Sequence, residues 1–130
     1  MTLIQRPIGY EYESRDCTVR ALSLASNISY PQVHEAWKEV GRKDKHKVYA
    51  EKYIQKVCKI LNINAKQVKR HGTIKKLISQ FPQGNLFCLI RGHAFALIDG
   101  VSHGEDNLNK YIEGAWKITK QEETKWHVFK

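Results

Sequence analysis

The sequence predicts a single α+β domain spanning residues 1–130, on three observations. Apolar residues in the first 80 positions recur mostly at helical spacing. Beyond about residue 85 they form short runs of strand formers broken by Arg91-Gly92 and Asp99-Gly100. With 130 residues, 42% of them apolar and 27% charged, the chain supports one hydrophobic core.

The elements follow in order. "IGYEYE", residues 8–13, alternates and reads as a short strand or a lead-in loop. Asp16 is placed to cap a helix from Cys17 to about Ser26. Val19, Ala21, Leu22, Leu24 and Ala25 make that helix apolar over most of its surface, so it is expected to be central and buried. Ser29 and Gln32 have capping-box spacing, with Pro31 in the first turn. A second helix therefore runs from Tyr30 or Pro31 to Val40, and Gly41 stops it. Ala50, Tyr53, Ile54, Val57, Cys58 and Leu61 give a third helix over about 49–61. "NINAKQVKR" reads as a connection with a short strand, and Thr73 caps a helix over 74–81 that Pro82 ends.

Strands are expected at 86–90, 93–98, 101–106, about 110–118 and 125–129. Asp99-Gly100 marks a two-residue hairpin, because both turn positions need positive φ. Helices first and an antiparallel meander second is the order of an α+β fold.

The net charge of +9 is concentrated. Residues 38–76 hold thirteen Lys or Arg against three acids, a net of +10, leaving the rest near neutral. Such a patch attracts an acidic protein or a nucleic acid, or simply solvates a helical face. Trp37, Tyr49 and Tyr53 lie within reach of it for base stacking. No apolar run approaches a membrane span, and the N-terminus lacks the pattern of a secretory signal. A cytoplasmic protein with no membrane partner is the expectation. Three cysteines without close spacing read as free thiols. No zinc motif or glycine-rich phosphate loop is present, so neither metal nor cofactor is expected.

Cys17 stands apart from the other two cysteines. At the first turn of a helix it meets unpaired N–H groups and the positive end of the helix dipole, which favour thiolate, the nucleophilic form. Cys58 and Cys88 sit on apolar runs and read as small core residues. Among six histidines, His93 is the natural base, with Gly92 and Ala94 beside it and an apolar strand to anchor it; His103 is a second candidate. If Asp99-Gly100 form the turn, Ile98 faces Val101, Ala96 faces His103, and His93 faces Asp106. Asp106 would then hold the imidazole, with Glu105 or Asn107 in its place if the strand bulges. Asp99 is six residues along the strand, about 20 Å away, and is left a turn role.

"DCTVRALSLAS" followed by "GHAFALIDG", with 76 residues from Cys17 to His93, resembles the papain-like cysteine peptidase superfamily. It looks most like small bacteriophage proteins with DC-x-x-RA early and GHA then DG late. It is less similar to the bacteriocin-leader peptidase domains of export transporters and to ovarian-tumour deubiquitinases. The resemblance covers roughly residues 14–106. It implies a papain-like fold, a peptide or protein substrate, and Cys17, His93 and Asp106 as nucleophile, base and orienter. The chain would hydrolyse an amide or isopeptide bond through a thioester. The chain also departs from the pattern. Papain-type enzymes carry a glutamine a few residues before the cysteine to bind the oxyanion; here Glu11 stands six before it and Gln5 twelve. Ser14, Arg15 or backbone N–H groups are left to substitute. In the ovarian-tumour pattern the acid lies three before the cysteine, where this chain has Ser14. The alternative expectation is therefore a catalytically weak or inactive peptidase-like module. Such a module, of the kind phages use in host takeover, would engage an acidic host protein or nucleic acid through residues 38–76.

Overall fold

The structure, a computed structural model, describes residues 2–69 and 72–120. Within these the fold is α+β, with four helices and a five-stranded antiparallel sheet. The helices are α1 (Cys17–Ser26), α2 (Tyr30–Glu39), α3 (Ala50–Ile60) and α4 (Ile74–Gln80). The strands are β1 (Ile63–Gln67), β2 (Asn85–Ile90), β3 (His93–Ile98), β4 (Val101–His103) and β5 (Gly114–Lys120). The strand expected at 125–129 lies outside the described residues. Residues 8–13 form turns rather than a strand. Among the described residues no helix is long and apolar enough to cross a membrane.

The sheet order is β1-β5-β2-β3-β4. Only β2, β3 and β4 form the expected meander; β5 returns to lie between β1 and β2. The short strand foreseen in "NINAKQVKR" is thus an edge of the sheet. Helices α1–α3 cover one face, burying Val19, Leu22, Val33, Trp37, Ile54 and Val57 against Phe87, Ala94, Ala96 and Trp116. α4 covers the other, where Ile74 and Leu77 meet Leu86, Cys88, Phe95 and Leu97. Coverage of both faces explains why β2 and β3 read as continuous apolar runs rather than alternating ones. Trp37 is fully buried between α2 and the sheet, so it is not available to stack on a base.

Local signals held unevenly. Thr73 caps α4, its side chain accepting from Lys76 N at 3.2 Å. Asp99 (φ 49°) and Gly100 (φ 81°) form the turn between β3 and β4, and Asp99 also accepts from Gly84 N at 2.8 Å. Ser29 and Gln32 bond to each other through their side chains at 2.9 Å, and Ser29 caps no N–H. Asp16 occupies the N-cap position of α1 but makes no side-chain cap bond. Its carboxylate instead takes both arms of Arg6 at 2.9 Å and the Tyr30 hydroxyl at 2.7 Å. The expected strand at 110–118 starts only at Gly114, because residues 108–112 bond along the start of α4, with Ile74 N on Lys110 O and Ile112 N on Gly72 O.

The hairpin register holds at Ile98↔Val101 and Ala96↔His103 and stops there. β4 ends three residues short of Asp106, so the pairing that would set Asp106 opposite His93 is not formed. Gly104 turns the chain away with φ 105°, and Leu3 packs against it. A Cβ there would lie 2.8 Å from Leu3 Cγ. Gly104→Ala is therefore expected to lower stability by about 1–3 kcal/mol, through strain and the clash together. Chemical denaturation measures it; an unchanged midpoint would contradict this packing.

Candidate active site

Cys17 is the first residue of α1, and His93 the first of β3. α1 packs across β2 and β3, which brings these two residues together although 76 positions separate them. The thiol and the imidazole lie close enough that each shifts the other's titration. The main-chain N–H of Ala94 donates to Cys17 Sγ at 3.3 Å. His93 Nε2 lies 2.7 Å from the Gly104 carbonyl oxygen. A carbonyl only accepts, so Nε2 carries a proton and Nδ1 is the nitrogen left for the sulfur. The group that fixes the tautomer is thus a backbone carbonyl at the turn after β4, not a register-paired acid. Asp106 and Asn107 follow in the segment between β4 and β5. Glu105 accepts from Lys110 Nζ at 2.9 Å and from Asn107 N at 3.0 Å, and its charge favours the protonated imidazole. His103, the second candidate base, stands opposite Ala96 on β4.

The electrostatics bind the pair. Burial pushes the Cys17 thiol up, but the His93 hydrogen bond, the Ala94 N–H and the charges of His93 and Lys47 outweigh it. The net pKa is below the ordinary thiol value. The hydrogen bond to Cys17 raises His93, burial opposes it, and the Gly104 carbonyl adds to the rise. Both shifts favour a thiolate–imidazolium pair. The other cysteines differ as expected: burial alone pushes Cys58 up to about 12 and raises Cys88 as well.

The pair opens on a cleft of about 170 Å³. Arg15, Thr18 and Lys47 line it beside Cys17, with Val48, Tyr49, Leu89 and Ile90 forming apolar walls. Lys47 Nζ donates to the Gly92 carbonyl, tying the α2–α3 connection to the β2–β3 turn. Glu11, which stands six residues before the cysteine where papain-type enzymes carry a glutamine nearby, does not line the cleft; its carboxylate accepts from Gly9 N at 2.8 Å.

A buried ion-pair network that sequence reasoning missed holds the chain leading into Cys17. Glu13 is buried and takes the Arg42 guanidinium on both oxygens, at 2.8 and 3.0 Å. Lys45 N and His34 Nε2 also reach Glu13, and Arg42 donates to Ser14 O at 3.2 Å. Arg15, next along, has φ 52°, a left-handed conformation that costs a non-glycine residue about 1 kcal/mol or more. The grip on Glu13 and Ser14 holds that strained residue, and so aims Cys17. Glu13, His34 and Asp44 bring possible metal-ligand atoms within 4.8 Å of one another. The guanidinium already fills both Glu13 oxygens, so the cluster reads as an ion-pair network rather than a metal site. Arg42, counted by sequence within the basic surface stretch, is in fact 3% exposed.

No family model, curated protein or solved structure matches the chain.

Proposed function

We propose that the chain is a papain-like cysteine hydrolase of amide or isopeptide bonds, acting on a peptide or protein through a thioester. The observation that carries this reading is the convergence of Cys17, at the start of α1, and His93, at the start of β3, on one cleft, with the Ala94 N–H donating to the sulfur and the Gly104 carbonyl holding the imidazole. The Cys17 thiolate attacks the carbonyl carbon, and the C–S bond forms as the carbonyl electron pair moves onto oxygen. The His93 imidazolium gives its proton to the leaving amine as the C–N bond breaks. Water then attacks the thioester while His93 takes its proton, and thiolate leaves as the acid product forms. The Gly104 carbonyl orients His93, and Glu105 supports the imidazolium from outside. Asp106, the acid implied by the family resemblance, lies beyond the end of β4; any part it takes is not through strand register.

A fluorogenic peptide-amide library tests this reading. Turnover abolished by both Cys17→Ala and His93→Ala is the expected result. Turnover that survives Cys17→Ala would contradict it.

One observation favours a second surface. Lys52, Lys56 and Lys59 lie on the exposed side of α3, opposite buried Ile54, Val57 and Cys58. We propose that this face recruits an acidic protein, as substrate or as partner, whether or not the cysteine acts. Capture should then fall with salt and persist in Cys17→Ala. With Trp37 buried, nucleic-acid stacking there is left with Tyr49 and Tyr53, and Lys52 Nζ already lies over the Tyr53 ring.

A further inference from the structure

Acyl transfer at Cys17 requires a donor for the oxyanion, and the glutamine used by papain-type enzymes has no counterpart in the cleft. Thr18 follows the nucleophile in the first turn of α1 and lines the same cleft. The residue is 5% exposed, and its Oγ1 is buried with no hydrogen-bond partner. A helical threonine often returns its hydroxyl to the carbonyl four residues back. Here the residue four back, Ser14, precedes α1 and its carbonyl lies outside the helix, so that usual partner is missing. A buried hydroxyl without a partner destabilises a fold, so such groups are rare where nothing uses them. The same helix end is otherwise open: the Asp16 side chain is turned to Arg6 and Tyr30 and caps nothing. The first N–H groups of α1 have no acceptor within the helix, and the dipole there favours negative charge.

We propose that the Thr18 hydroxyl, together with the N–H groups that open α1, is the oxyanion donor for acyl transfer at Cys17. The inference rests on the acyl-transfer reading above. As the Cys17 C–S bond forms, the carbonyl electron pair moves onto oxygen. Rotation of Thr18 about χ1 brings its hydroxyl to the cleft that the residue lines, and the O–H donates a hydrogen bond to that oxygen without giving up its proton. When the leaving group departs, the carbonyl reforms and the bond is released. The hydroxyl is unpaired at rest because its partner exists only along the reaction.

The test uses the full chain with two reagents in parallel. p-Nitrophenyl acetate acylates Cys17 through an oxyanion and expels p-nitrophenolate; iodoacetamide alkylates the same sulfur with no oxyanion. Thr18→Val is expected to slow acylation about 10²-fold. It should leave Cys17 alkylation within about twofold, since the thiolate itself is untouched. Thr18→Ser should restore acylation. The thermal midpoint of Thr18→Val should equal or exceed that of the wild type, because an unpaired hydroxyl is removed. Thr18→Ala gives the same comparison should the methyl that replaces the hydroxyl in valine disturb folding. Wild-type acylation in these variants would overturn the role of Thr18 alone. Acylation and alkylation falling together would also overturn it, by showing a displaced Cys17. A wild-type protein that alkylates rapidly at Cys17 but never acylates would instead overturn the acyl-transfer reading, and the role of Thr18 with it.

Discussion

His93→Ala is expected to slow alkylation of Cys17 by iodoacetamide about 10–100-fold near neutral pH, while Cys58 and Cys88 stay at their slow baseline. Only thiolate reacts. In the wild type, burial raises the Cys17 thiol but His93 and the Ala94 N–H more than compensate. Without the imidazole, burial is opposed only by Ala94 and Lys47, and the thiol moves back towards or above its ordinary value. Each unit of that movement removes about tenfold in thiolate, partly offset by the greater nucleophilicity of a more basic sulfur. The pH dependence follows in sign. Cys17 is lowered, so wild-type reactivity persists below the usual thiol range and is lost only as pH falls through the lowered value. His93 is raised, so imidazolium survives to higher pH than usual. The variant's reactivity should instead rise only at alkaline pH. Mass spectrometry of the three cysteine peptides after timed alkylation reads all of this. Equal and slow labelling of all three cysteines in the wild type would refute the ion pair.

Arg42→Ala is expected to cost about 3–5 kcal/mol of stability, because it leaves the Glu13 carboxylate buried without its main partner. That is a large share of the 5–15 kcal/mol typical of a domain, and about 10–20 °C in thermal midpoint. The effect extends past the pair. Arg42 also holds Ser14 O, and with it the left-handed Arg15 that precedes Asp16 and Cys17. The same network sets an acid limit. Burial pushes Glu13 up, but Arg42, the Lys45 N–H and His34 hold it well below the ordinary carboxylate range. Asp16 is depressed likewise, Arg6 and Tyr30 outweighing its burial. Depressed carboxylates stabilise the fold above their unfolded pKa of about 4, and that contribution is lost as pH falls towards their folded values. Wild-type stability should therefore decline steeply with acid, and Arg42→Ala should flatten that slope. Urea melts across acidic pH measure both. An Arg42→Ala variant as stable as the wild type would contradict the network.

Why some of this was legible in the sequence and some was not follows from the range of each interaction. The helix ends at Thr73 and Cys17 and the Asp99-Gly100 turn depend on two to four neighbouring residues, and they stand as expected. Cys17 and His93 each carried a local signal, a helix start and a glycine-flanked strand start. Their meeting depends on how α1 crosses the sheet, which no local spacing encodes. Asp106 was reached by running a correct register three residues past the point where it ends. What ended it was Gly104 turning against Leu3, a contact 101 residues away in sequence. Glu13 and Arg42 gave no periodic signal at all. Glu13 sits in a polar lead-in and Arg42 in a basic loop, and only tertiary folding buries them against each other. Asp16 stands at the N-cap position as expected, but its carboxylate is taken by Arg6 and Tyr30, partners that the local sequence does not reveal.

The claim that Cys17 and His93 form an acyl-transfer pair is tested most directly by looking for the acyl-enzyme. The protein is mixed with p-nitrophenyl acetate, quenched at short and long times, and digested with trypsin. Mass spectrometry then follows the peptide Asp16–Arg20, which carries Cys17. The account predicts a single acetyl group on that peptide at early times, lost later as free acetate is released. It also predicts no such adduct on the peptide in Cys17→Ala and a strongly delayed one in His93→Ala. An adduct that never forms on Asp16–Arg20 in the wild type, or that forms equally fast in His93→Ala, would contradict it.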